Sequence, residues 1–296
     1  MSQDQQNLSN LDLVEAVDSW PYFSKDPEAY RRHTQDCHYF LVEGYDEPVG
    51  YIHNDFVARI DWTECWKIDP ERRFLSLKTG GPPSINDFET RTRLMQETLE
   101  QGQSPKKVLS LKYWANELFP LYTSSGEHVL DMDGCGVDTF GILWVPRRAF
   151  TKMSFPGKLD NTIGGSLASR ERTIDGIVRG CEEDLCLDPT YMRANIKQCG
   201  TNLFQLTMTD SLEVGRQHQV QHLYEIELSQ DIVPRIGDGK VGSIELLTID
   251  QVQEALKRGE FKLTCNLTYM AFFIRDGYID AENESHLVEI CSRLNR

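Results

Sequence analysis

Between Arg179 and Leu187 the sequence reads RGCEEDLCL, an arginine followed closely by three consecutive acids, Glu182, Glu183 and Asp184, set among apolar residues. From Thr173 onward Ile174, Ile177, Val178, Cys181 and Leu185 recur at helical spacing. The spacing predicts a helix that buries that stripe and brings Arg179 and Glu183, four apart, to one side. Carboxylates clustered on a helix beside a glycine-bearing loop can hold Mg2+ or Mn2+ against substrate phosphates and acidify a bound water. The same pattern also describes the solvated face of an ordinary surface helix.

Two further groups have chemical potential. The segment PRRAFTKMSFPGK gathers Arg147, Arg148, Lys152 and Lys158 in an otherwise acidic chain, and guanidinium forks with a lysine suit the phosphates of a diphosphate. They precede DNTIGGS, where Gly164 and Gly165 either offer backbone N–H groups to a phosphate or make a turn. His218 and His222 have the four-residue separation of a helical metal pair. Their neighbours alternate as in a strand, which sets the two about 13 Å apart and removes them as joint ligands. Trp114, Trp144 and Tyr224 read as core, or as an aromatic wall suited to a flat heterocycle.

The elements that must position these residues follow from periodicity. NLDLVEAVDSWPYF reads as a short helix stopped near Pro21, CHYFLVEGYDEPVGYIHNDFVARI as a hairpin around a turn-rich GYDEPVG, and FLSLK as a strand. SINDFETRTRLMQETLEQGQ, with Asn86 or Asp87 as N-cap, and LKYWANELFPLY have helical periodicity. VDTFGILWVPRRAF reads as a strand pair, and Asp188-Pro189 closes the acidic helix. Two strands follow, then a strand leading into a helix capped by Gly259, then two final helices. The expected organisation is a small α+β domain over residues 1–125 and an α/β domain over residues 126–296.

With 31 Lys and Arg against 46 Asp and Glu the net charge is -15, which repels nucleic acid and anionic lipid surfaces, so any anionic ligand, such as a small phosphorylated one, needs a local basic patch. A homodimer is compatible with the composition. The eight cysteines show no C-x-x-C pair or zinc spacing and read as thiols of a reducing compartment. The polar, acidic start lacks the features of a signal or transit peptide, and no apolar run approaches the roughly 20 residues of a membrane span. The expected location is cytoplasmic.

The stretch Gly165–Leu187 resembles the box of the Nudix hydrolases, G-x5-E-x7-R-E-U-x-E-E-x-G-U with U a bulky apolar residue. Gly165, Glu171, Arg179, Glu183, Asp184 and Leu187 fall on that pattern. WVPRRAFTKMSFPGKLDNTIGG, the last 40 or so residues and VEGYDEPVGYI are similar to the branch in which a small β-rich domain precedes a Nudix module, the arrangement also found in fungal thiamin pyrophosphokinase fusions. The resemblance implies an α/β/α Nudix sandwich with a mixed sheet. It also implies Mg2+-assisted hydrolysis of thiamin diphosphate or its oxidised forms to the monophosphate and phosphate. Glu183 and Asp184 would hold the metal, Glu171 would serve the chemistry, and Arg179 would orient the box acids.

The sequence departs from that pattern where the chemistry lies. Gly180 stands where a glutamate follows the arginine, and Cys186 replaces the final glycine. Lys240 and Gly242, in DGKVG, replace acids of a loop that faces the box helix, and Asp138 replaces a histidine. An ammonium in place of a carboxylate changes the local charge by two, repelling Mg2+ and attracting phosphate. Three readings remain open: a diphosphate hydrolase with weak or altered activity, a catalytically silent protein binding a phosphorylated ligand or a protein partner, and a metal-independent enzyme using Lys240 in the same pocket.

Overall fold

Helices and mixed sheets alternate along the chain in the computed structural model, which describes residues 7–80, 86–102, 117–134, 144–152, 154–208, 215–229, 231–237 and 239–295. Trp114, Cys135 and Asp138 lie outside these residues. The elements gather into two compact units, Met1–Trp20 with Val137–Leu167 and Glu171–Arg296, and Pro21–Gly136 with Ala168–Arg170. The division therefore differs from the expected border at residues 125 and 126.

Within Pro21–Gly136, β1 (Cys37–Val42), β2 (Gly50–His53), β3 (Trp66–Asp69) and β4 (Phe74–Leu77) form one sheet in the order β2-β1-β4-β3. β1 and β4 run parallel and the other pairs antiparallel. α1 (Asn10–Val17) precedes this unit, while α2 (Pro27–His33), α3 (Asn54–Arg59) and α4 (Phe88–Gly102) lie within it. Asp87 caps α4 by accepting the Thr90 N–H at 2.8 Å. The expected helix over LKYWANELFPLY is not formed at its end, where β5 (Glu117–Tyr122) pairs antiparallel with β6 (His128–Gly134). Pro120 explains this, since it breaks a helix interior but is tolerated on an edge strand.

The other unit carries the acidic helix. β7 (Trp144–Arg148) pairs antiparallel with β10 (Val241–Leu246), and β8 (Lys197–Met208) with β9 (Gly215–Glu225). α5 (Thr173–Leu185) presents Ile177, Val178, Cys181 and Leu185 to a core shared with Ile163, Tyr224 and Ile226. A second core joins Leu13, Val14 and Val17 of α1 to Phe204 and Leu206, to α7 (Ile249–Lys257) and α8 (Cys265–Arg275), and to Ile290 and Leu294 of α9 (Leu287–Leu294). Asp188-Pro189 does more than end α5. The Asp188 carboxylate accepts the Tyr191 N–H at 2.7 Å and opens α6 (Pro189–Asn195), with the proline in its first turn. No helix among the described residues is long and apolar enough to cross a membrane.

An ion cluster ties this unit together. Asp160 is 7% exposed and Lys262 1%. The Asp160 carboxylate is bonded by the Arg148 guanidinium and by the Cys265 thiol at 3.2 Å, with the Lys262 ammonium at 3.9 Å. Burial pushes the Asp160 pKa up, but Lys262, Arg148 and the hydrogen bonds outweigh it and hold the carboxyl below its ordinary range. Stability linked to Asp160 is therefore fully present above its unfolded pKa, near pH 4, and is lost as pH falls through the lower folded value. Asp160→Ala leaves two buried cations without their carboxylate and should cost about 3–5 kcal/mol in urea unfolding. Asp160→Asn should flatten the acid limb of the stability–pH curve.

Candidate functional site

The predicted box residues converge on α5. Glu171, two residues before the helix, accepts from Arg179 Nε and Nη2, each at 3.1 Å, a fork that fixes the acid against the helix flank. The second of these nitrogens also reaches the Ser166 carbonyl at 3.4 Å. One turn later Glu183 lies 3.6 Å from Arg179 Nη1. On its other side the Lys240 Nζ stands 3.6 Å from Glu183 and donates to Asp184 Oδ1 at 3.2 Å. Glu171, Arg179, Glu183, Lys240 and Asp184 thus form one continuous chain of alternating charge. Glu182, the first of the three acids, is exposed.

Lys240 arrives there because the preceding loop is fastened to the end of α5. The last carbonyls of a helix lack partners within it, and here Arg235 N–H bonds the Leu185 carbonyl and Gly237 N–H the Asp184 carbonyl, each at 3.0 Å. A Cβ on residue 237 would collide with the Glu183 carbonyl oxygen, so only glycine permits this approach. At the same helix end Cys186 takes φ 52 and ψ 34, a left-handed conformation. Its N–H bonds the Glu182 carbonyl at 3.0 Å and Leu187 N–H the Cys181 carbonyl at 3.1 Å, which is the closing pattern that glycine usually supplies. The cysteine at the box's glycine position keeps the turn at the cost of backbone strain.

Gly180 has a separate explanation. It is buried in α5, and a Cβ there would lie 2.9 Å from Ile163 Cγ2, so a side chain at this position requires Ile163 to move. Cys181 beside it is buried too, and burial with the nearby Asp184 carboxylate pushes its thiol up to about 12. It is no nucleophile at neutral pH.

The divalent ion implied by the resemblance does not fit this arrangement. Its two expected ligands already share the Lys240 ammonium, and position 180 offers no oxygen. No group of three or more His, Cys, Asp or Glu able to hold a metal occurs among the described residues. A divalent ion 4 Å from an ammonium meets a repulsion on the order of 8 kcal/mol at an effective dielectric near 20, less once solvent screens it.

The other expected residues separate. Arg148 is buried and its guanidinium is committed to Asp160 and to the Ser154 carbonyl at 3.0 and 3.1 Å. Arg147 donates to the Gly157 carbonyl at 3.0 Å and Lys158 to the Gly259 carbonyl at 2.7 Å, while Lys152 is half-buried. Gly164 and Gly165 lie half-buried in the loop leading to Ser166. His218 and His222 lie on β9. Trp144 lines a cavity of about 800 Å3 together with Tyr191, Lys197, Glu227, Tyr269 and Phe272. Sequence reading missed Gly237 and Ile163, whose roles depend on contacts between distant segments; the only local signal was the turn composition of IGDG.

Comparison with known proteins adds the relationship. Residues 23–143 match the family described as Domain of unknown function (DUF4743). The chain is 26% identical to the uncharacterized protein YJR142W of Saccharomyces cerevisiae, over 99% of this chain and 92% of the yeast protein. It is 24% and 25% identical to Nudix hydrolase 24 and Nudix hydrolase 20, both chloroplastic and from Arabidopsis thaliana, over 84% of this chain and 70% of each plant protein. The chain is a distant relative of Nudix hydrolases.

Cys186→Gly should raise stability by about 1 kcal/mol in urea unfolding, because glycine adopts the left-handed conformation without the Cβ penalty. No gain would mean that the cysteine side chain makes a compensating contact.

Proposed function

We propose that this protein is a Nudix-type diphosphate-hydrolase relative that binds thiamin diphosphate or an oxidised form of it and hydrolyses the diphosphate only weakly. The observation that carries the reading is the assembled box: Glu171, Arg179, Glu183 and Asp184 are held in one cluster on α5, with an ammonium supplied by Lys240. Relatives named Nudix hydrolases at 24% and 25% identity support the hydrolase side of the reading. The occupied carboxylates support the weakness of the activity.

In this scheme the protein's own residues do the binding and orienting. Arg179 fixes Glu171 and steadies Glu183, so that the acids neither swing nor repel each other. Lys240, half-exposed between Glu183 and Asp184, offers N–H donors to a phosphoryl oxygen while remaining paired. Water attack on a phosphoryl group then proceeds without the strong charge neutralisation that a fully formed site provides, and the rate falls accordingly.

The test is calorimetric binding and phosphate release with thiamin diphosphate and with oxothiamin diphosphate, each with Mg2+, with Mn2+ and with chelator. Saturable binding with slow release that changes little on chelation is the expected result. Rapid Mg2+-dependent release abolished by Glu183→Gln would overturn the weak-activity assignment, and neither binding nor release with either compound would overturn the ligand.

A further inference from the structure

We infer that Lys240 is a resident cation: its ammonium occupies the place of a divalent ion between Glu183 and Asp184, so that the chain neutralises its box acids with its own charge. The inference rests on reading this cluster as the protein's ligand site, and its test uses no phosphorylated ligand.

Three observations carry it. The first is the contact itself, with Lys240 Nζ 3.2 Å from Asp184 Oδ1 and 3.6 Å from Glu183 Oε2. The Asp184 side chain is only 11% exposed, and a carboxylate so buried needs a cation or hydrogen-bond donors to stay ionised.

The second is that the lysine is delivered by fixed backbone on both sides. Upstream, Arg235 and Gly237 bond the last carbonyls of α5; at Lys240 itself the carbonyl accepts the Ala149 N–H at 3.1 Å; downstream, Val241 is in register with Arg148 in the β10–β7 pair. A lysine on a loose surface loop would spend little time at this spot, because holding its long side chain in place costs conformational entropy. Here the backbone is already placed, and only the side-chain torsions remain to be ordered.

The third is that a further box position, the one after Arg179, is set against a metal. The position after Arg179 is a glycine packed on Ile163, which leaves no room for a carboxylate without displacing the isoleucine. The cluster therefore lacks a carboxylate where a third ligand would enter and carries an ammonium where the ion would sit. Each change lowers affinity for a divalent cation, and Lys240 also compensates for the other by neutralising the acids that remain.

The test is Mn2+ binding to the whole 296-residue chain, followed by electron paramagnetic resonance and by titration calorimetry, in the wild type, Glu183→Gln, Lys240→Glu, Lys240→Gln and the double variant Lys240→Glu/Glu183→Gln. The wild type should show no saturable site at micromolar Mn2+. Lys240→Glu should bind one ion, and Lys240→Gln, which retains the fold should the glutamate disrupt it, should bind at least about tenfold more tightly than the wild type once the repulsion is removed. The double variant should lose the site created by Lys240→Glu. Mn2+ should raise the unfolding temperature of Lys240→Glu and leave that of the wild type unchanged, since only an ion bound by the folded state stabilises it. Tight Mn2+ binding by the wild type that Glu183→Gln removes would overturn the inference. So would a folded Lys240→Gln with no gain in Mn2+ affinity.

Discussion

A carboxylate shut away from water must meet cations, and in this chain the carboxylate of Asp160 draws three distant segments together to do so. Arg148 comes from the end of β7, Asp160 from the segment that returns after it, and Lys262 and Cys265 from the entry to α8. Backbone bonds follow the same crossing: Asp160 N–H to the Pro146 carbonyl at 2.9 Å, Leu159 N–H to Glu260 at 3.0 Å and Lys262 N–H to Leu159 at 2.7 Å. Two cations against one acid, all deeply buried, would be costly without this density of bonds. Arg148 is part of this framework.

The charge cluster at α5 hangs from that framework. Because Arg148 is locked to Asp160, the end of β7 is fixed; because β7 pairs with β10, the start of β10 is fixed; and Ala149 N–H then holds the Lys240 carbonyl. The other side of Lys240 is set by the glycine contact at the end of α5. A charge at the site is therefore linked to a buried ion pair elsewhere in the same unit by way of the β7–β10 pairing.

Much of this was legible in sequence because it depends on local spacing. The α5 stripe, the Asp87 cap and the strand character of HQVQHLYE are properties of short windows, and the structure forms each of them. The convergence of Arg179, Glu171 and Glu183 follows from helix period plus one preceding residue. What failed involved either an ambiguous signal or a distant neighbour. ELFPLY carries enough apolar residues to suit either period, and Pro120 decides in favour of the strand. Asp188-Pro189 stops one helix and starts another, since the same pair serves as cap and first turn. The fate of Arg148 was not legible at all: its partner Asp160 is 12 residues away but Lys262 comes from far downstream, and nothing in PRRAF separates a buried framework arginine from an exposed phosphate ligand.

Three of the departures, two in the box and one in the DGKVG loop, act on different physical quantities. Cys186 affects only backbone strain, and the closing turn of α5 still forms around it. Gly180 concerns volume: with Ile163 so close, packing is satisfied by the absence of a side chain, and the loss of a carboxylate follows from that packing. Lys240 concerns charge, and it is the one change that adds an interaction, joining two acids that would otherwise repel each other. A helix that retained its acids without a cation between them would be strained electrostatically. With the lysine in place the same acids become part of an ion-pair chain, and the scaffold persists around it.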